Sequence, residues 1–246
     1  MTAKAVLETE PMTAKGLVFG QSARASGRNV IERLGALETL CSFPEGVAAD
    51  LGCGEGGYTV ELAKRFNKTL AIDILPTNLV HARQSVSGDI VFCCAALENT
   101  PVQSESVDVA FVIEVLDHVN DVELSLSEVR RILKPRSMAY VSVPNSLFPL
   151  ETHPVQLFGK LFHPFLFPFL NWTPFHDRVA TARIFRKRKL VGICESLGFQ
   201  VIGIDYAVVP LERRFAFLRP VLTTLAKTPL KPLMGVSLVL ALKKNR

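Results

Sequence analysis

The chain has 246 residues, 48% of them hydrophobic, which is enough for one α/β domain with a large core and excludes a disordered polypeptide. Its formal net charge of +5 conceals an asymmetry: residues 1–175 carry 14 Lys and Arg against 19 Asp and Glu, whereas residues 176–246 carry 14 against 4. Such a basic third reads as a surface for anions, either nucleic acid or acidic membrane headgroups. Cysteines 41, 53, 93, 94 and 194 show no C-x-x-C spacing, so a reducing, cytoplasmic compartment is expected, with Cys93 and Cys94 as small buried residues.

Residues 1–15 read as a mobile tail without the basic-then-apolar order of a secretory signal, and residues 16–246 as a single domain. Val30, Ile31, Leu34, Leu37 and Leu40 form a stripe on a helix over 29–40. A strand over 47–50 then runs into Asp50-Leu-Gly-Cys-Gly-Glu-Gly-Gly57, and a second strand ends at Asp73. A strand, a glycine-rich turn and a later carboxylate form the pattern of a nucleoside-cofactor site, with Asp73 placed to accept from ribose hydroxyls. The glycines depart from the dinucleotide fingerprint, and Asp50 beside them repels a pyrophosphate and suits a cationic ligand.

Further strands over 90–94, 107–113 and 138–143 alternate with helices, which predicts βαβ units and a parallel sheet. Val122, Leu126, Val129 and Leu133 mark a helix with Asp121 as N-cap and Pro135 past its end. Glu114, Asp117 and His118 share one face if the segment after the fourth strand is helical. Residues 155–175 hold six of the 16 phenylalanines and the only tryptophan, interrupted by Pro164 and Pro168. That run is too broken to span a membrane and reads as a lid on an apolar pocket, an interfacial segment with Trp172 at the boundary, or an aromatic satellite core. Arg186–Lys189 precede a helix over 190–197, and strands over 199–204 and 236–242 close the sheet as an antiparallel pair. Between them, residues 210–235 interleave Phe215, Phe217 and Leu218 with Arg213, Arg214 and Arg219, as in segments that lie on anionic membranes.

The turn at 50–54, Asp73, the strand-end run 90–101, the run 106–119 and the segment 130–145 resemble, in order, the motifs of the class I S-adenosylmethionine-dependent methyltransferases. That resemblance implies a Rossmann-like three-layer α/β sandwich: a mostly parallel seven-stranded sheet, an antiparallel last strand, a cofactor core over 45–145, and substrate-side insertions over 146–235. It implies S-adenosyl-L-methionine as cofactor, held by Asp50, Gly52, Cys53, Gly54, Asp73, Ile74, Ala96, Leu97 and Glu114, with His118 as the candidate base. Ala96 stands where the family usually has an acidic residue that bonds the adenine amino group. His176-Asp177 resembles a segment of ubiquinone-type O-methyltransferases, some of which hold a divalent metal through an E-x-x-E-H cluster. Glu114, Asp117 and His118 fit that cluster with Asp for Glu, but no metal is assigned. The expected substrate is a lipophilic small molecule such as a quinone, polyprenyl or lipid precursor, with the enzyme peripheral to an anionic membrane. An RNA methyltransferase, or a relative using the cofactor for other chemistry, is the alternative; the absence of an Asn/Asp-Pro-Pro-aromatic motif at Val143-Pro-Asn145 weighs against nucleic acid.

Overall fold

The computed structural model describes residues 27–158, 160–162, 169–207, 224 and 227–245. The expected N-terminal tail, His163, Pro164 and Pro168, and most of the apolar and basic residues of 210–226 lie outside them.

In chain order, α1 (Gly27–Leu40) precedes β1 (Val47–Leu51), α2 (Gly57–Ala63), β2 (Lys68–Asp73), α3 (Pro76–Ser85) and β3 (Ile90–Cys94). There follow β4 (Val107–Ile113), α4 (Val122–Ile132) and β5 (Leu133–Pro144). A hairpin of β6 (Val155–Leu157) and β7 (Lys160–Phe162), a single 3-10 turn at Leu170–Trp172 and α5 (His176–Val179) come next. The described elements end with α6 (Lys187–Ser196), β8 (Phe199–Ala207), α7 (Lys231–Met234) and β9 (Ser237–Lys244).

The main sheet has the order β3-β2-β1-β4-β5-β9-β8. Neighbours from β3 to β5 are parallel, while β9 runs antiparallel to both β5 and β8. This is the expected seven-stranded, mostly parallel sheet with an antiparallel last strand. Chain order runs outward from β1 in one direction and resumes at β4 in the other, so a switch point lies between β1 and β4. Ligands of open α/β sheets bind at such a point, beyond the carboxyl ends of the strands.

Both faces of the sheet are covered, which is why its central strands read as continuous apolar runs. Along β9, Leu238, Leu240 and Leu242 pack in the layer that holds Leu126 and Val129 of α4 and Leu190 of α6. Val239 and Ala241 point to the opposite layer, with Val30, Leu34 and Leu37 of α1. Ile31, expected in that stripe, is exposed instead. Asp121 caps α4 as expected, its carboxylate accepting from the N–H groups of Glu123 (2.9 Å) and Leu124 (3.0 Å). The helix stops at Ile132 and Leu133 opens β5, so Pro135 lies inside the strand rather than in a turn. All five cysteines are free, but Cys94 is exposed and Cys93 half-buried, a correction that follows from β3 being the edge of the sheet.

Candidate functional site

The glycine turn leaves β1 with Gly52 at φ +79° and Gly54 at φ +54°, in the left-handed region that disfavours side chains. A Cβ on Gly52 would lie 2.7 Å from Val115 Cγ1 and closer still to Cγ2, so the turn and the loop after β4 are in contact because this residue has no side chain. The N–H groups of Gly52 and Cys53 donate to the Ile72 carbonyl of β2, at 2.7 and 2.9 Å. The Gly54 N–H donates to Asp73 Oδ2 at 2.8 Å, while Asp73 Oδ1 accepts from Leu75 N (2.9 Å) and Asn78 Nδ2 (3.0 Å). Asp73 thus organises two adjacent turns from the end of β2, and its buried carboxylate forms part of a cavity wall.

That cavity, about 660 Å³ with its open mouth, lies beyond the carboxyl ends of β1, β2 and β4. Gly52, Gly54, Asp73, Ile74, Leu97, Glu114 and His118, all nominated from the sequence, line it. Asp50, Cys53 and Ala96 do not. Asp50 is buried beneath the turn, accepting from Thr59 Oγ1 at 2.6 Å. Burial, aided by the charge of Asp73 and opposed by the Thr59 bond, pushes its pKa up to about 7. It therefore ties β1 to α2 and does not present a full negative charge to a ligand. Asn78, Glu98, Val115 and Val119 also line the cavity and were not foreseen. Glu98 is the acidic residue nearest in sequence to the Ala96 position, with Oε1 accepting from Asn120 N at 2.8 Å.

The segment after β4 is a turn rather than a helix, so the expected common face of Glu114, Asp117 and His118 does not form. Glu114 takes φ +56°; Ser142 Oγ donates to its carboxylate, and Arg33 Nη2 lies 3.9 Å away. Asp117 is completely buried, with His118 Nε2 at 3.1 Å and His153 Nε2 at 3.5 Å from the same oxygen, Oδ2. These are ion-pair separations without the alignment of formed hydrogen bonds. Burial opposes ionisation of Asp117, but the positive charge available on His118 and His153 outweighs it and holds the pKa below the ordinary carboxylate value. Ligand-type atoms of Asp117, His118 and His153 lie within 4.8 Å of one another, a grouping that excludes Glu114 from the set expected.

Residues 49–141 match the methyltransferase domain family. That match covers 93 of the 246 residues, and the fold is the one found in S-adenosylmethionine-dependent methyltransferases. A biotin biosynthesis bifunctional protein, BioHC, of Cellvibrio japonicus is 35% identical over 104 residues, 42% of this chain and 21% of that protein. A ubiquinone biosynthesis O-methyltransferase of Brucella ovis is 32% identical over 100 residues, 39% of this chain and 40% of that one. The chain therefore spans well under half the length of these curated relatives. Among solved structures, an S-adenosylmethionine-dependent methyltransferase from Mesorhizobium loti superposes with a TM-score of 0.62 at 18% identity, covering 87% of this chain and 98% of its own. A Haemonchus contortus phosphoethanolamine N-methyltransferase, solved with S-adenosylhomocysteine, gives 0.60 at 14% identity over 92% and 59%. The stretch matched by the family ends inside β5; the segments that follow it carry Glu151, His153 and His176, outside that match.

Proposed function

We propose that the protein binds S-adenosyl-L-methionine in this cavity and transfers its methyl group to a lipophilic small molecule, such as a quinone or polyprenyl precursor, at an anionic membrane surface. The observation that carries the cofactor assignment is the Gly54–Asp73 corner: backbone stripped of side chains next to a carboxylate at the cavity wall. There Asp73 accepts from the ribose hydroxyls, with Ile74 and Leu97 as apolar faces for the adenine ring. When bound, the cofactor supplies a sulfonium carbon open to in-line attack; the chain's task is to position the acceptor, exclude water and take up any proton released. His118, on the cavity wall in the turn after β4, is the base in this reading.

The lipophilic acceptor is supported by the aromatic surface that follows β5. Phe158, Phe169, Trp172 and Phe175 are all exposed, with Phe169 and Trp172 ring centroids 5.3 Å apart. Trp172 is anchored by its indole N–H to the Leu147 carbonyl at 3.3 Å, and the exposed cations Arg186–Lys189 follow nearby in sequence. Aromatic rings with a polar handle beside cations suit a lipid interface. No helix among the described residues is long and apolar enough to cross a membrane, which fits contact from one side. The similarity to a ubiquinone biosynthesis O-methyltransferase favours a quinone precursor as acceptor.

The test is incubation with methyl-labelled S-adenosylmethionine and either bacterial lipid extract or total RNA. Label in the organic phase, with S-adenosylhomocysteine released in equal amount, is expected. Label in RNA, or cofactor consumption without any methylated product, overturns the proposal.

A further inference from the structure

Beyond His118, the alternation of imidazole and carboxylate groups continues through the protein. His118 Nε2 and His153 Nε2 approach Asp117 Oδ2 at 3.1 and 3.5 Å, and His153 Nδ1 lies 3.3 Å from Glu151 Oε1. Glu151 Oε2 meets His176 Nε2 at 2.7 Å, and His176 Nδ1 lies 3.2 Å from Asp177 Oδ1. The six groups come from three separate segments: the turn after β4, the loop after β5 and the start of α5. Side chains of Asp117, Glu151 and His176 are 0–2% exposed, whereas that of Asp177 is 90% exposed. One end of the series is on the cavity wall and the other is in solvent.

We infer that His118, Asp117, His153, Glu151, His176 and Asp177 form a proton exit path from the methyl-acceptor position to the surface. The inference rests on the methyltransferase reading and deepens it, because an exit path serves an acceptor that loses a proton as it attacks, namely a hydroxyl. In the transfer, the hydroxyl oxygen bonds to the methyl carbon, the carbon–sulfur bond breaks with its electron pair kept by sulfur, and the hydroxyl proton passes to His118. The Nδ1 atom of His118 has no hydrogen-bond partner among the described residues and is the nitrogen left to receive it. His118 gives its Nε2 proton to Asp117, and the charge moves through His153 to Glu151. The Glu151 carboxyl turns between receipt at Oε1 and release at Oε2, and His176 passes one proton to Asp177 and water. One proton enters and one leaves. Small ring and carboxyl rotations align contacts that are long before substrate is bound.

The surroundings keep the carboxylates and imidazoles paired in the resting state, so the carboxylates carry the proton only in passing. Glu151 Oε1 also accepts from the N–H groups of Thr152 and His153, each at 2.8 Å, bonds that seat the resting carboxylate between its two imidazoles and that its turn must break. Although burial opposes it, the bonds from His153 and His176 hold the Glu151 pKa down to about 2, and Glu151 in turn raises both histidines. The other charged groups that bear on the series are Glu114 from the turn after β4, facing His153, and Arg33 from α1, facing Asp117. Arg183 faces Asp117 and Asp177, with its guanidinium held by the Val119 and Asn120 carbonyls. Burying so many ionisable groups is expensive where apolar packing would serve as well.

The experiment uses the full chain with 15N-labelled histidine, titrated by NMR in the presence of S-adenosylhomocysteine, for wild type, Glu151→Gln and His176→Gln. The expected result is that both substitutions move the titration midpoints of His153 and of the distant His118. A His118 midpoint unchanged in both variants overturns the path, whatever the acceptor is. In parallel, methylation of a catechol in detergent micelles is followed: kcat is expected to fall about 10–100-fold in each variant. KM for the cofactor stays constant, and millimolar imidazole partly restores the rate. Unchanged kcat, or wild-type activity lost on chelation and regained with Mg2+, also overturns the path. Failure of wild type to release S-adenosylhomocysteine with any acceptor, while the histidines remain linked, counts against the methyltransferase reading alone.

Discussion

Replacing Gly52 with Ala tests how the cavity is built, because two separable penalties meet at that residue. At φ +79° an L side chain costs about 1–2 kcal/mol. The new Cβ would also collide with both methyl groups of Val115, and overpacking of this kind costs about 1–3 kcal/mol. The sum is roughly 2–5 kcal/mol, which at about 2–4 °C per kcal/mol lowers Tm by roughly 5–20 °C. Gly52→Ala combined with Val115→Ala removes the collision but not the backbone strain, so relative to Val115→Ala alone the penalty shrinks to about 1–2 kcal/mol. Thermal and urea unfolding followed by circular dichroism read both values. A Gly52→Ala protein as stable as wild type would refute the argument, and so would additive penalties in the double variant, which would place the strain elsewhere.

Three other outcomes follow from the electrostatics and the surface. Glu151 titrates at about 2 instead of near 4.5, so its pairing contributes roughly 3 kcal/mol above pH 4.5 that is lost as pH falls toward 2. Its partners His153 and His176 are raised, so their share is complete below pH 6.5 and is lost as pH rises through their folded values. Glu151→Gln should therefore be less stable than wild type at pH 6 in urea unfolding, with the gap closing in acid; a gap independent of pH contradicts this. Asp50 behaves in the opposite way, since a folded pKa of about 7 against 3.8 makes the wild type lose stability as pH rises from 4 to 7. Asp50→Asn should stabilise the protein at pH 8 by up to roughly 4 kcal/mol and have little effect at pH 4, as measured by Cm at the two pH values. Replacing Phe169, Trp172 and Phe175 together with Ser should abolish flotation with anionic liposomes while leaving Tm within a few degrees, because all three are exposed. Undiminished flotation would remove the aromatic surface from the membrane account.

The strands of the cofactor half were legible because each is an apolar run, buried on both faces in the centre of the sheet though not in the edge strand β3: β3 and β4 have the expected bounds, and β1, β2 and β5 extend them. The segment after β4 left a helix open because Glu114, Asp117 and His118 have helical spacing; it is a turn, and the Ser142 and Arg33 contacts that hold Glu114 come from β5 and α1. Asp50 looked like a ligand-facing charge since sequence order gives its place beside the glycines but not the burial of its carboxylate against Thr59. Glu151 and His153 carried no local signal at all. They matter only because the loop after β5 returns to the turn after β4, a long-range packing fact. His176-Asp177 had a signal only through resemblance, which named the segment but not its carboxylate partner Glu151.

The central claim, that this cavity holds S-adenosylmethionine through Asp73, is tested most directly by calorimetric titration of the cofactor into wild type and Asp73→Ala. Saturable one-site binding to wild type is predicted. Loss of charge-assisted bonds worth about 1.5–3 kcal/mol each weakens binding by the variant at least 10-fold. Absence of binding by wild type, or equal affinity in both proteins, contradicts the account.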